Sequence, residues 1–329
     1  MNKRTLIFAT FCLVLIGASC SPASSDDDDT GTSTVDTATD SNSGDLDGGT
    51  DTNTGAGCSN IDLLFIIDDS GSMIEEQNNL VANFPKFIEV LDAYETPAHT
   101  KVNYRIAVAT TGVTRNFKLK QQGAPMNVPT NSKGPDGAFQ GRLKCGLGQY
   151  PWVERTDSKV STKFSCMASL GTDGSGYEMP LAALELALGD QSQDGGPNEG
   201  FYTKDDKSLL VVIFITDEDD CSIVNGGVFG EDSSQTPMGC IEAISKGLYD
   251  VSEVAGFVND LAGGEDRSVV VGIGGAQQGG CSSTFGSAIY ANRLKRFVDL
   301  FGDHGVFGDV CSGDLQKSLE DALAVIKVS

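Results

Sequence analysis

Basic side chains and histidines are scarce in this chain. It has 23 Lys and Arg against 46 Asp and Glu, a formal net charge of −23, and two histidines, His99 and His304. Nucleic-acid binding needs clustered basic side chains that displace counterions, so this balance argues against nucleic acid as a partner. The histidines have no catalytic neighbour in sequence, and the H-E-x-x-H, G-x-S-x-G and P-loop motifs are absent. The sequence therefore favours a non-enzyme that attracts divalent cations.

Long apolar runs are also missing, and the only export-like segment is at the start. A positive stretch, Asn2-Lys3-Arg4, precedes the apolar residues Thr5–Ile16, which are too few for a membrane-spanning helix. We expect residues 1–19 to be a signal peptide. The small residues before Cys20 resemble a lipobox, so Cys20 is expected to carry a lipid anchor. Ser21 after it resembles the outer-membrane sorting pattern. Ordinary cleavage, giving a periplasmic or secreted protein, is the alternative.

Residues 20–57 lack the composition of a folded segment. From Ser21 to Gly57 the chain is almost wholly Ser, Thr, Asp, Asn and Gly, with nine Asp and no Lys or Arg. Such a segment cannot bury enough apolar surface to offset its chain entropy. It is predicted to be a disordered linker between the lipidated cysteine and a folded domain over residues 58–329.

No C-x-x-C pair occurs, which argues against a structural zinc site. An exported chain lies in an oxidising compartment, so its cysteines are expected to form disulfides. Sequence does not fix the connectivity. Proximity along the chain favours three pairings and leaves Cys58 over: Cys145 with Cys166, Cys221 with Cys240, and Cys281 with Cys311.

Strands alternate with helices over most of the domain. The apolar runs Leu63–Ile67 and Leu209–Ile215 are typical of strands buried on both faces. Between and after them, apolar residues recur at helical spacing, as in Leu181–Leu188. The pattern predicts an α/β fold, doubly wound, with a mostly parallel central sheet flanked by helices. Residues 113–165 read as a long irregular insertion, which is either functional or wrongly segmented.

The first buried strand is followed by Asp68-Asp69-Ser70-Gly71-Ser72. Ligands of doubly wound sheets bind at the carboxyl ends of the strands. Asp68, Ser70 and Ser72 would offer hard oxygen ligands there, which suit Mg²⁺, Ca²⁺ or Mn²⁺. An Asx-turn without metal is the alternative explanation of this motif.

D-x-S-x-S after a hydrophobic strand resembles the metal-ion-dependent adhesion site (MIDAS) of von Willebrand factor A (vWA) domains. The loop 170–176, with Thr172, and the strand end at Asp217 resemble the two other segments of that site. The resemblance covers about residues 60–328 without the insertion. It implies that Ser70, Ser72 and Thr172 bind the ion directly. Asp68 and Asp217 would act largely through bound water.

The acidic residues around the motif depart from the family pattern. Glu218 stands where the family has glycine, and Asp69 and Asp219 add carboxylates. They are further candidates for metal binding, either as a second cation site or by favouring Ca²⁺. A solvated acidic loop is the alternative for Asp219 and Asp220. Glu178 could simply lie in the first turn of a helix. The Asp-Glu-Asp-Asp-Cys-Ser stretch resembles vWA lipoproteins of predatory and gliding bacteria.

The resemblance implies a function in adhesion or complex assembly. A cation held largely by neutral hydroxyls keeps its positive charge, and an exposed carboxylate of a partner protein can replace one of its waters. We therefore expect an envelope-anchored domain that binds an acidic group of a protein partner through a divalent cation. The alternatives are a metal-dependent hydrolase and a structural domain with an empty site.

Overall fold

The computed structural model describes residues 58–96, 99–121, 126–231, 240–313 and 315–326. The predictions for residues 1–57, namely the signal peptide, lipidation at Cys20 and the linker, lie outside these residues. Among the helices described, none combines the length and the apolarity that crossing a membrane would require.

A six-stranded sheet forms the centre of the fold. Its strands are Asn60–Ile67 (β1), Asn103–Thr110 (β2), Val153–Glu154 (β5), Ser208–Ile215 (β6), Ser268–Gly274 (β9) and Gly305–Asp309 (β12). Their order is β12-β9-β6-β1-β2-β5, and all pairings are parallel except that of β2 with β5. The central strand β1 pairs along its full length of eight residues with both β2 and β6.

Six helices cover the two faces of this sheet. They are Ile74–Ala93 (α1), Val160–Ala168 (α2), Pro180–Leu188 (α3), Val251–Ala262 (α4), Asn292–Asp299 (α5) and Leu315–Ile326 (α6). Successive strand residues point to opposite faces. Leu63 and Phe65 therefore pack with α1 and α2, whereas Leu64 and Ile66 pack with α3, α4 and α5. The predicted α/β fold with a mostly parallel, helix-flanked sheet is confirmed.

The insertion, residues 113–165, is irregular only in part: residues 133–152 form neither helix nor strand, whereas the rest contains short regular elements. It contains Arg115–Gln121 (β3), Val128–Ser132 (β4), β5 and α2. Strands β3 and β4 form a second sheet together with Ile223–Glu231 (β7) and Lys246–Leu248 (β8). The order of this sheet is β4-β3-β7-β8. The sequence does not indicate the strands of this second sheet, because many of their side chains are exposed and polar and the alternation of apolar residues is weak. Phe117 of β3 and Phe229 of β7 anchor the second sheet on Tyr177, with ring centroids 5.1 and 5.2 Å from the Tyr177 ring.

Two of the three predicted disulfides are present. Cys145 is bonded to Cys166, and Cys281 to Cys311. The latter bond pins a hairpin of two short strands to the segment after β12; the strands are Cys281–Ser283 (β10) and Gly286–Ala288 (β11). Cys58 is also disulfide-bonded, so the expectation that it is left over is wrong.

The predicted Cys221–Cys240 disulfide is wrong, since both residues are free thiols. The backbone N–H of Cys221 donates to the Glu178 carbonyl at 2.9 Å, which holds its side chain in the core between the sheet and α3. The Cys240 sulfur instead lies 3.6 Å from the Ser245 hydroxyl. Closeness along the chain did not bring the two sulfurs into bonding geometry.

Candidate metal centre

Asp68 lies at the carboxyl end of β1 and is fully buried. Its backbone N–H extends the ladder by donating to the Ile215 carbonyl at 2.9 Å. Its carboxylate accepts one hydrogen bond on each oxygen, from the Ser70 N–H at 2.8 Å and from the Thr216 hydroxyl at 2.7 Å. Burial nevertheless raises its pKa, against the effect of these hydrogen bonds. The Asx-turn is therefore real, and it fixes the carboxylate at the start of the loop.

Two serine hydroxyls lie close together in the loop that follows Asp68. The Ser70 and Ser72 hydroxyl oxygens are 3.1 Å apart. Ser70 is buried and Ser72 is exposed, so the pair leads from the interior to the surface. Their separation is close to that of neighbouring ligands in an octahedral Mg²⁺ shell, which requires metal–oxygen distances of about 2.1 Å.

The Thr172 loop is held against these residues by backbone contacts. The Gln77 side-chain amide on α1 donates both to the Asp68 carbonyl at 2.9 Å and to the Gly171 carbonyl at 2.8 Å. The Gly174 N–H donates to the Asp69 carbonyl at 2.7 Å. Three hydrogen bonds thus bring half-buried Thr172 alongside the serine loop, although 100 residues separate Ser72 from Thr172 in sequence.

Asp217 follows β6, the neighbour of β1, and is fully buried. Its backbone carbonyl accepts from the Ile289 N–H at 2.9 Å. Neither oxygen of its carboxylate has a hydrogen-bond partner of normal geometry in the described residues. Burial, followed by the nearby Asp68 charge, raises the pKa of Asp217 to about 8, and the Ser72 hydroxyl offsets part of that rise. The structure thus brings together all three segments expected to form the site.

Two of the three additional acids, Asp69 and Glu218, lie close enough to Asp68 for its charge to raise their pKa. Asp69 is half-buried, and burial together with Asp68 raises its pKa to about 6. Glu218 is 3% exposed, and burial raises its pKa to about 7. Its carboxyl group contacts that of Glu178, which is 2% exposed and precedes α3 rather than lying in its first turn. Burial and the Asp68 charge raise the pKa of Glu178 well above its usual range.

The Asp219 carboxylate is engaged in backbone hydrogen bonds at the start of α5 and has no contact with the other candidate ligands among these bonds. Its carboxylate caps α5, accepting from the Arg293 N–H at 2.8 Å and the Leu294 N–H at 3.1 Å. Asp220 accepts from the Leu181 N–H near the start of α3 and forms a buried ion pair with Arg293 at 3.2 Å. The stretch is therefore not a solvated acidic loop. Both acids satisfy helix ends that would otherwise be left without partners.

Sequence reasoning missed Glu76 on α1. It is 1% exposed, and one of its oxygens accepts from the Ser287 N–H of β11 at 3.1 Å. Burial raises its pKa, and its charge also acts on Asp217. The available signal was its position four residues after Ser72, the spacing that brings side chains onto one side of a helical turn.

We call these six residues the acidic cluster: Asp68, Asp69, Glu76, Glu178, Asp217 and Glu218. Apart from Asp68, each has at least one buried carboxylate oxygen without a hydrogen-bond partner in the described residues. None of the six forms an ion pair with a described Lys or Arg. Uncompensated buried carboxylates are costly, and a hard divalent cation satisfies them. The donor set therefore fits such a cation.

No three carboxylates of the acidic cluster bring their ligand atoms within 4.8 Å of one another; among the described residues only Cys281, Asp309 and Cys311 do so. Those two cysteines are bonded to each other and offer no thiolates, so that trio is not a metal site while the bond persists. A compact shell in the acidic cluster would need the serine and threonine hydroxyls as well.

Both histidines lie far from the acidic cluster. His99 is in the connection before β2, and His304 immediately precedes β12, with its Nδ1 at 3.0 Å from the Glu265 carbonyl. The amino ends of parallel strands meet at one edge of the sheet and the carboxyl ends at the other. The acidic cluster and the histidines thus occupy opposite edges.

No protein-family model matches the chain. No curated protein matches its sequence either. Among solved structures, proximal thread matrix protein 1 from the mussel byssus is 14% identical, with a TM-score of 0.39, over 82% of this chain and 46% of its own. The pilus adhesin SpaC from Lactobacillus rhamnosus GG, in an open conformation, is 12% identical, with a TM-score of 0.41, over 82% of this chain and 30% of its own. The chain spans less than half of either structure.

Proposed function

We propose that this chain is a vWA-like domain that binds a divalent cation and, through it, an acidic group of a partner protein. The observation that supports this most is Asp217. It is fully buried, and neither of its carboxylate oxygens has a hydrogen-bond partner of normal geometry within the described residues. Such an arrangement is expensive unless a cation or its bound water completes it.

The chain's own residues would share the work. Ser70, Ser72 and Thr172 supply neutral oxygens, while Asp68 and Asp217 supply negative charge, largely through water. Asp68 also orients the loop through its bond to the Ser70 N–H. When bound, the divalent cation (Mg²⁺, Ca²⁺ or Mn²⁺) supplies an open coordination position that a carboxylate can occupy. Ser72 is exposed, which leaves this position within reach of a macromolecular partner.

The proposal extends to the location of the protein. Two disulfides among the described residues agree with an oxidising compartment. With the export-like residues 1–19, this supports an exported protein. We propose a lipid anchor at Cys20 in the outer membrane, with a periplasmic or secreted form as the alternative. Lipidation consumes the Cys20 thiol, so Cys58, which is disulfide-bonded in the structure, could pair with Cys20 only in the second form. Palmitate labelling of the expressed chain and of Cys20→Ala distinguishes the two.

Thermal unfolding tests the cation site. The full chain should melt at a higher temperature in Mg²⁺ or Ca²⁺ than in EDTA, because a ligand that binds only the folded state stabilises it. Asp68→Ala or Ser72→Ala should abolish the difference. Asp173→Ala, an exposed carboxylate beside Thr172, is the control and should keep it. An equal melting temperature with and without metal would refute the site.

Water relaxation tests the open position. In the Mn²⁺-loaded chain, bulk water exchanging with ion-bound water relaxes rapidly. Acetate is a minimal model of a partner carboxylate, so adding it should displace that water and slow the relaxation. Should acetate leave the relaxation of the loaded chain unchanged, the ion would be structural and the adhesion mechanism would fail.

A further inference from the structure

The positive charge of this acidic chain is concentrated in the insertion. Residues 113–165 contain nine Lys and Arg against three Asp and Glu, a net charge of +6, whereas the rest of the chain carries −29. The insertion ends within α2, and that helix leads into the loop 170–176 of the candidate metal centre. Two exposed residues beside the centre's own loops, Glu75 and Asp173, are acidic. A partner with several carboxylates is therefore repelled by these two residues and attracted towards the insertion.

One turn of the insertion, residues 141–145, is fastened to α2, and we call it the pinned turn. The disulfide of Cys145 with Cys166 ties it to the helix. The Lys144 ammonium group donates to the Ser169 carbonyl at 2.8 Å. Ser169 caps the end of α2, whose last turn has no basic residue of its own, so Lys144 supplies the charge that the helix dipole favours there. A covalent bond and a charged hydrogen bond thus fix the turn.

The tip of the pinned turn presents two side chains to solvent. Leu143 is 94% exposed, the largest exposure of any large apolar side chain in the described residues. Arg142 is exposed and forms no ion pair with a described acid, and its carbonyl accepts from the N–H of buried Leu147 at 3.0 Å. An exposed leucine is ordinary by itself. Here it stands beside a free guanidinium on a fixed backbone, which lowers the entropy lost when a partner binds.

The pinned turn lies within reach of a partner bound at the cation. Ser169, which holds Lys144, precedes Thr172 by three residues, so their Cα atoms are at most about 11 Å apart. An extended partner segment advances about 3.3 Å per residue and covers this distance in about four residues. A second acidic residue of the same segment can therefore meet the turn while the first binds the ion.

We infer that the pinned turn is a second contact surface for an acidic protein segment, in which Arg142 binds a carboxylate and Leu143 packs on a neighbouring apolar side chain. The inference rests on the proposed function, since another carboxylate of this segment is taken to bind the cation. Charge complementarity selects the occupant: the turn lies in the one strongly basic stretch of a chain with a net charge of −23.

Peptide binding tests this inference. Two fluorescein-labelled hexapeptides of equal charge, an Asp-Leu repeat and an Asp-Ser repeat, are titrated with the full chain in Mg²⁺ and followed by fluorescence anisotropy. Arg142→Glu should weaken binding of both peptides roughly tenfold. Leu143→Ser should weaken only the Asp-Leu peptide, also roughly tenfold. Lys159→Glu makes the same charge change at the opposite, exposed end of α2 and should preserve both affinities.

The inference and the proposed function fail in different ways. Equal losses in Arg142→Glu and Lys159→Glu would overturn the inference, and binding that still requires Mg²⁺ would leave the proposed function standing. Binding that EDTA and Asp68→Ala do not change, but that Arg142→Glu abolishes, would overturn the proposed function and keep the turn as an acidic-peptide site. Absence of binding at millimolar chain concentration overturns the inference. A dimer in sedimentation that Leu143→Ser dissociates would assign the turn to a second copy of the chain and overturn it as well.

Discussion

Gln77 and Gly171 are joined in both directions: the Gln77 side-chain N–H donates to the Gly171 carbonyl at 2.8 Å, and the Gly171 N–H donates back to Gln77 Oε1 at 3.2 Å. The same side chain also donates to the Asp68 carbonyl. The Gln77 side chain therefore aligns the loop 68–72 with the loop 170–176, and it offers no ligand itself. Residues in this supporting position are expected to control affinity as strongly as some ligands do.

Gln77→Ala should weaken Ca²⁺ or Mg²⁺ binding roughly 10- to 100-fold, the range typical of residues that orient metal ligands. The physical reason is that the Thr172 loop loses its connection to α1. Isothermal titration calorimetry measures the change. Gln193→Ala is the control, because Gln193 is exposed and bonds only within its own turn, to the Gly189 carbonyl. Equal affinities for the two variants would contradict this role.

Gly174→Ala should displace the same loop from the other side. A Cβ atom at Gly174 would lie 2.6 Å from the Asp69 carbonyl oxygen and 2.3 Å from Asp69 Oδ1, closer than real contacts allow. We expect roughly tenfold weaker cation binding. Gly148→Ala is the matched control, since nothing lies within 4 Å of its added atom. Unchanged binding in the Gly174 variant would mean that the loop is free to shift.

Asp219→Ala should reduce stability without altering cation binding. Removing a side-chain cap from a helix costs about 0.5–2 kcal/mol, and Asp219 accepts from two backbone N–H groups of α5. Urea unfolding in EDTA measures the loss, and calorimetry should give a cation affinity within a few-fold of the original. Asp250→Ala, which removes the cap of α4, provides the comparison. Loss of a bound ion in the Asp219 variant would restore it as a ligand.

The free energy of unfolding should fall as pH rises from 4 to 7, because Asp62 loses its proton in this interval. Burial raises its folded-state pKa from 3.8 to about 6, against the Thr203 hydrogen bond and the Arg105 charge. The folded state therefore holds a proton that the unfolded state releases between these values, so the stabilisation present below pH 3.8 is lost as pH rises through about 6. The difference amounts to about 3 kcal/mol.

Asp62→Asn cannot ionise and should lack this contribution. Urea unfolding of both proteins at pH 4 and 7 isolates the effect, because the other acids contribute equally to each. The stability of the unaltered chain relative to the variant should fall over that interval. A constant difference between the two proteins would show that Asp62 titrates normally.

Cys221 and Cys240 should remain thiols in the purified protein. Burial raises the pKa of Cys240 to about 12, and Cys221 is buried, so neither should react with iodoacetamide in the native state at pH 8. After denaturation without reductant, peptide mapping should find both alkylated. Cys145, Cys166, Cys281 and Cys311 should stay unmodified. A peptide cross-linked through Cys221 and Cys240 would contradict the expectation.

The sequence predicted those parts of the fold whose pattern depends on full burial. The strands β1 and β6 appear as continuous apolar runs because both of their faces are covered. The strands β4, β10 and β11 have only three to five residues, most of them exposed or half-buried, which is too short for an apolar alternation to be detected. The second sheet also pairs β3 with β7, segments about 100 residues apart, which local patterns cannot indicate.

The candidate site was predictable only in part, for a similar reason. Asp68, Ser70 and Ser72 share one motif, and Asp217 follows a recognisable strand. The acids after Asp217 are all buried, and the backbone path between β6 and β7 decides which of them lies beside the candidate site. That path turns Glu218 towards Glu178 and Asp219 towards the start of α5.

The ladders on either side of β1 have a consequence for motion. Asp68 and Asp217 terminate neighbouring strands that are paired residue by residue, from Asn60 with Ser208 to Ile67 with Ile215. Sliding one carboxylate past the other would break that whole register. The Thr172 loop is fastened by a few hydrogen bonds from side chain and backbone. Any opening or closing of the centre would therefore displace the Thr172 loop relative to the two aspartates rather than one aspartate relative to the other.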